Sequence, residues 1–310
     1  MANTTDKQQS RRPPSRVPAP QASAPRPRWQ YAAAAVALAA LAAVLALTVV
    51  NRPGRELASA GLPHTADYHA LLVSPSDPPR LTLGTHDGLY QSVDGGRRWR
   101  FTALAGEDAM NLARPTATTI WLAGHEVFKK SSDGGRSWQD VHPSGLPGLD
   151  VHGFAVDPRD PDTLYAAIAG QGLYRSRDGG RTFSLLSRGV GGNVMALAIS
   201  PDGRILAGDM RQGLLESRDG NSWKQTLRAQ LMGLAINPAN PKRVLATGAG
   251  IALSTDGGRS WRSVLDLPDG AGPVAWSPSN PDLAFAVGFD RVLYRSRDGG
   301  DSWQPVGKGT

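Results

Sequence analysis

Ser92-Val93-Asp94-Gly95-Gly96-Arg97-Arg98-Trp99 recurs along the chain with little variation. It returns as Ser131-Ser132-Asp133-Gly134-Gly135-Arg136-Ser137-Trp138 and as Ser176-Arg177-Asp178-Gly179-Gly180-Arg181-Thr182-Phe183. Shorter by one residue, it reads Ser217-Arg218-Asp219-Gly220-Asn221-Ser222-Trp223. Two more copies centre on Asp256 and Asp298 and end at Trp261 and Trp303. This is the chemistry of a tight turn. An aspartate accepts hydrogen bonds from backbone N–H groups just ahead of it, and glycine supplies positive φ without steric cost. Apolar stretches flank each copy, so each phrase reads as the tip of a β-hairpin.

Working outward, each copy sits in a unit of fixed order. A first apolar strand ends in Ser-Pro, Asp-Pro or Asn-Pro, as in residues 69–75, 153–158, 195–201, 233–238 and 273–278. A second strand follows, for example residues 80–85, 119–124 and 204–209. A short loop leads to a third strand, then the turn phrase, then a fourth strand. Four short strands with their turns need about 40 residues, the period of a propeller blade. The expected fold is all-β: a six-bladed β-propeller of four-stranded antiparallel blades, over about 67–105, 106–144, 145–190, 191–228, 229–268 and 269–310. Ring closure is expected to rest on side-chain packing between blades six and one, because residues 57–66 are too short and polar to complete a blade.

The first sixty residues differ in kind. Residues 1–30 are rich in Pro, Ser, Gln and Arg, and carry Lys7, Arg11, Arg12, Arg16, Arg26 and Arg28 against Asp6 alone. They read as a disordered basic cytoplasmic tail. Residues 31–50 contain no charge. A helix of that length spans about 30 Å, the hydrocarbon thickness of a bilayer. The cations before it place the N-terminus in the cytoplasm and the rest outside. An uncleaved single-pass membrane anchor, with residues 51–66 as tether, is preferred to a cleaved signal peptide, because Ala58-Ser59-Ala60 lies well beyond the apolar run. Most of the net charge of +7 belongs to the tail, so the propeller lacks the basic excess that nucleic-acid binding requires. No cysteine is present, which excludes disulfides and thiolate chemistry.

The repeated phrase resembles the Asp-box, or BNR, repeat of sialidases, sortilin-type receptors, xyloglucan-active glycosidases and photosystem-assembly propellers. The resemblance covers residues 68 to 305. It implies the propeller fold, but no single activity, since this repeat serves many functions. Sialidase-like catalysis would need an Arg-Ile-Pro segment and a tyrosine nucleophile. The chain has no Arg-Ile-Pro, and of its six tyrosines only Tyr68 lies outside the repeat pattern, the mid-strand Tyr165 and the membrane segment.

One carboxylate per blade cannot converge on a substrate, so Asp94, Asp133, Asp178, Asp219, Asp256 and Asp298 read as structural. Asp219, in the shortened box, is expected to matter less. The unrepeated polar residues lie in loops of the opposite face, where binding residues tend to sit. The binding candidates are His86, Asp87, His125, Glu126, His152, Asp209, Arg211, Asp290 and Arg291. His86, His125 and His152, with Asp87 and Glu126, can converge to hold a metal, or can be ordinary solvent-facing loop histidines. No local ligand spacing distinguishes the two, so no metal or cofactor is assigned. The expected function is a membrane-tethered, extracytoplasmic module that binds a protein or glycan. The alternative is a glycoside hydrolase using loop-face carboxylates, such as Asp209 with Asp290 or Glu126, which need a separation of roughly 5–10 Å.

Overall fold

The computed structural model describes residues 59–76, 79–190 and 192–307. The basic tail and the uncharged run 31–50 lie outside the described residues. Among those described, no helix is long and apolar enough to cross a membrane.

The described chain is all strand and turn. It opens with β1 (Ser59–Ala60) and continues into blade one, β2 (Ala70–Val73), β3 (Leu81–Thr85), β4 (Gly88–Ser92) and β5 (Arg98–Ala103). Blade two is β6 (Asn111–Ala113), β7 (Ile120–Gly124), β8 (Val127–Ser131) and β9 (Gln139–Asp140). Blade three is β10 (Val151–Asp157), β11 (Asp160–Ile168), β12 (Gly172–Ser176) and β13 (Ser184–Ser187). Blade four is β14 (Val194–Ile199), β15 (Ile205–Asp209), β16 (Gly213–Ser217) and β17 (Lys224–Leu227). Blade five is β18 (Gly233–Ile236), β19 (Val244–Thr247), β20 (Gly250–Ser254) and β21 (Arg262–Asp266). Blade six is β22 (Ala271–Trp276), β23 (Ala284–Gly288), β24 (Leu293–Ser296) and β25 (Gln304–Pro305). Each blade is an antiparallel meander in chain order.

Burial follows from position within the blade. The second strands β3, β7, β15 and β23 are buried at every residue, because each is covered on both faces by neighbouring blades. The fourth strands are the outer rim and are largely open; β9 and β17 contain no buried residue. Pro305, which cannot donate to a ladder, sits on such an edge. The core is divided into six apolar clusters, one at each junction between blades.

The ring closes at the junction of blades six and one. Innermost strand β22 packs on β2. Leu71, Leu81, Leu83 and Trp99 of blade one share a cluster with Phe285, Val287 and Leu293 of blade six. Among the described residues, no strand is exchanged between the two blades. Instead β1 adds a fifth strand to blade one itself, pairing Ser59 with Trp99 and Ala60 with Arg98. Leu62 is buried in the closing cluster, and Tyr68 donates its hydroxyl to the Pro63 carbonyl at 2.7 Å. Residues 59–66, read in the sequence as the end of a tether, are thus built into the folded unit.

Candidate binding face

The six repeated aspartates each hold their own turn. In blade three, Asp178 Oδ1 accepts the N–H groups of Arg181 and Thr182 at 3.0 and 2.9 Å and the Ser176 hydroxyl at 2.8 Å. Ser176 Oγ in turn accepts the Gly180 N–H. The same pattern recurs at Asp94, Asp133 and Asp256. At Asp298 the single Ser302 amide takes the place of the pair. These bonds hold the carboxyl groups below the ordinary carboxylate value, at about 2 for Asp178, through the backbone bond to Thr182 first. The closing aromatics pack inward, and Trp99 donates its indole N–H to the Gly96 carbonyl at 3.0 Å.

On the opposite face, the loop histidines of the first three blades do converge. His86 directly follows β3 and His125 directly follows β7. Their rings stack with centroids 6.4 Å apart. Asp108 lies between them and takes His86 Nδ1 at 3.0 Å and His125 Nδ1 at 2.6 Å on one oxygen, Oδ2. Each ring meets a second histidine through Nε2: His86 and His69 at 3.1 Å, His125 and His152 at 3.1 Å. Asp67 joins the first pair, 2.9 Å from His86 Nε2, and Asp150 joins the second. Burial, then the neighbouring His86, lowers the pKa of His69 below the usual 6.5.

The carboxylates in this cluster are Asp67, Asp108 and Asp150. Asp87 and Glu126, the two that sequence reasoning placed beside the rings, are exposed and make no side-chain contact with them. Glu126 occupies a left-handed turn position with φ of 56°. The chain does carry a usable signal: Asp67-Tyr68-His69 and Asp150-Val151-His152 both stand just before, or at, the start of an innermost strand. Asp108 holds the corresponding place in blade two. The loop histidine of one blade therefore meets the aspartate of the next.

Blades four to six do not join that cluster. Asp209 is buried, and its Oδ1 accepts the N–H groups of Arg211 and Gln212 at 2.8 and 2.9 Å. Asp290 accepts the Val292 N–H and the Tyr294 hydroxyl, the latter at 2.6 Å. Burial and that bond push the Tyr294 hydroxyl up to about 12. Arg291, at φ 62°, reaches His64 Nδ1 at 3.0 Å. Arg211 lines an open hollow of about 620 Å³ with Gln212, Gln225, Arg228 and Gln230.

The sequence profile of the family described as Photosynthesis system II assembly factor YCF48 matches residues 76–309. The photosystem II assembly lipoprotein Ycf48 of Picosynechococcus is 26% identical over 252 residues, 71% of this chain and 69% of that protein. An oligoxyloglucan-reducing end-specific xyloglucanase of Emericella nidulans is 28% identical over 167 residues, 51% of this chain. The chain spans only 18% of that enzyme's length. A solved structure of YCF48 bound to a D1 peptide superposes with a TM-score of 0.52 at 20% identity, over 79% of this chain and 84% of that one, a likeness of fold. Six consecutive blades and a profile match across nearly all of them agree: the chain belongs to the YCF48 family of photosynthesis system II assembly factors.

Proposed function

We propose that this protein is a membrane-tethered, extracytoplasmic assembly module that holds a polypeptide segment of a partner on its loop face. The observation that carries the reading is the family match over residues 76–309. A relative of the same fold binds a peptide, and another is an assembly lipoprotein. The hollow between the β15–β16 loop and the entry to blade five suits such a ligand. Arg211 and Arg228 supply forked donors for carboxylates and carbonyls, and Gln212, Gln225 and Gln230 supply both donors and acceptors. Hydrolysis is disfavoured by the structural engagement of two of the carboxylates nominated for it, Asp209 and Asp290. Asp209 is buried and engaged with backbone N–H groups, and Asp290 is engaged by Val292 and Tyr294. The anchor in this reading is residues 31–50, with the positive tail inside and the propeller outside.

A photo-crosslinking residue in place of Gln212 or Arg228, in cells making the full chain, tests the face and the ligand class together. The expected product is a protease-sensitive adduct from either position and none from Arg177 on the Asp-box face. Capture from Arg177 alone places the binding on the other face. An adduct removed by glycosidases but not proteases makes the ligand a glycan. Protease added to intact spheroplasts should digest the propeller; protection of the propeller reverses the topology.

A further inference from the structure

Within the histidine cluster, one triad has the dimensions of a coordination face. His125 Nε2, His152 Nε2 and Asp150 Oδ1 stand 3.1, 3.1 and 3.2 Å from one another. Tetrahedral bonds of about 2.0–2.1 Å place neighbouring donor atoms about 3.3 Å apart, and octahedral bonds of that length about 3.0 Å apart.

A hydrogen bond between the two ring nitrogens accounts for one edge of the triad, but not for the carboxylate edge. His125 directs Nδ1 at Asp108 Oδ2, 2.6 Å away. In the neutral ring that leaves Nε2 as a lone pair, facing both the Asp150 oxygen and His152 Nε2. Asp150 Oδ1 is shielded from solvent, yet accepts no hydrogen bond. Among the described residues, neither Asp108 nor Asp150 is paired with a lysine or arginine. The His125 lone pair and the Asp150 carboxylate thus point at one spot where, among the described residues, no lysine or arginine is paired with them.

We propose that His125, His152 and Asp150 bind a divalent transition-metal ion of the Zn²⁺ type, with Asp108 as the positioning carboxylate. The two imidazoles are borderline ligands that, with one carboxylate, suit such an ion better than Mg²⁺ or Ca²⁺, which take oxygen ligands. Asp108 fixes the His125 tautomer from behind, as outer carboxylates do for metal-ligating histidines. The side chains of His125 and Asp150 are 43% and 49% exposed, so an ion can approach the triad from solvent. The blade-one triad of His69, His86 and Asp67 repeats the pattern less evenly, with one edge of 3.9 Å, and binds more weakly. This inference is independent of the peptide-binding reading, since it is tested without any partner.

The test uses the detergent-solubilised full chain, stripped with a chelator and titrated with Zn²⁺ against a chromophoric competitor. One tight equivalent is expected. His125→Ala and His152→Ala each abolish it, Asp108→Asn weakens it by about 10–100-fold, and Asp87→Ala leaves it unchanged. Wild-type protein gives a second readout that needs no variant. Zn²⁺ should protect His125 and His152 from diethyl pyrocarbonate, followed by peptide mass spectrometry, while exposed His142 goes on reacting. Absence of a tight equivalent, its survival in both alanine variants, or equal modification of His125 and His142 with Zn²⁺ present would overturn the proposal.

Discussion

Asp219 shows how far a single residue can be judged from its letters. The shortened box suggests a weaker turn. In the structure, Asp219 Oδ1 still accepts two backbone N–H groups, from Asn221 and Ser222, both at 2.8 Å, and the Ser217 hydroxyl at 3.0 Å. Its pKa is about 2, as for Asp178, with the Ser222 backbone bond as the first cause. Asp219→Ala and Asp178→Ala are therefore expected to lower Tm alike, by roughly 2–6 °C for a domain of this size. A clearly smaller drop for Asp219→Ala in differential scanning calorimetry refutes the equivalence. The same carboxylates set an acid limit. Their folded pKa values lie below the ordinary 3.8, so their contribution is full above that value. It is lost as pH falls toward about 2, because the unfolded chain takes up protons first. Denaturant midpoints measured from pH 6 to 2 should hold down to about pH 4 as far as these groups are concerned, then fall.

At the scale of strands and turns, the hairpins were legible and the contacts between blades were not. Turn chemistry is local, so Asp-Gly-Gly declares itself in the sequence. The site depends on which loop of one blade meets which strand start of the next. His86 and His125 were found because they occupy the same loop in successive blades. Asp87 and Glu126 are their neighbours in sequence, but the packed ring brings Asp108 and Asp150 against the rings instead, and only the ring fixes that offset. Gly124 shows how tight that junction is. A Cβ there would run into the Asp108 carbonyl oxygen. Gly124→Ala is expected to cost about 1–3 kcal/mol by overpacking. It should also displace Asp108, lowering Zn²⁺ affinity along with stability. Chemical denaturation and metal titration of the same variant check both, and a Gly124→Ala protein of wild-type stability contradicts the contact.

The whole molecule stands or falls at its closing junction. Trp99 is 1% exposed and joins Phe285 and Leu293 across the meeting of blades one and six. Trp99→Ala is expected to cost about 3–5 kcal/mol. Its hydrogen exchange should rise first in blades one and six and last in blades three and four; uniform exchange around the ring would show that the junction is no weaker than the others. The sequence carried the blade count and the mode of closure, since no strand was left over to exchange. It did not reveal that residues 59–66 thicken blade one, because two residues of edge strand leave no periodic trace.

Every four-stranded sheet is cut from one uninterrupted stretch of chain, and this has a bearing on biosynthesis. As the polypeptide emerges N-terminus first, each sheet can complete its ladder before the next has been made, and each new one finds its predecessor waiting as a template. Only the junction of blades six and one must wait for the last residues. Until they arrive, the half-cluster around Leu71, Leu83 and Trp99 stays uncovered, an apolar surface of the nascent chain open to folding factors.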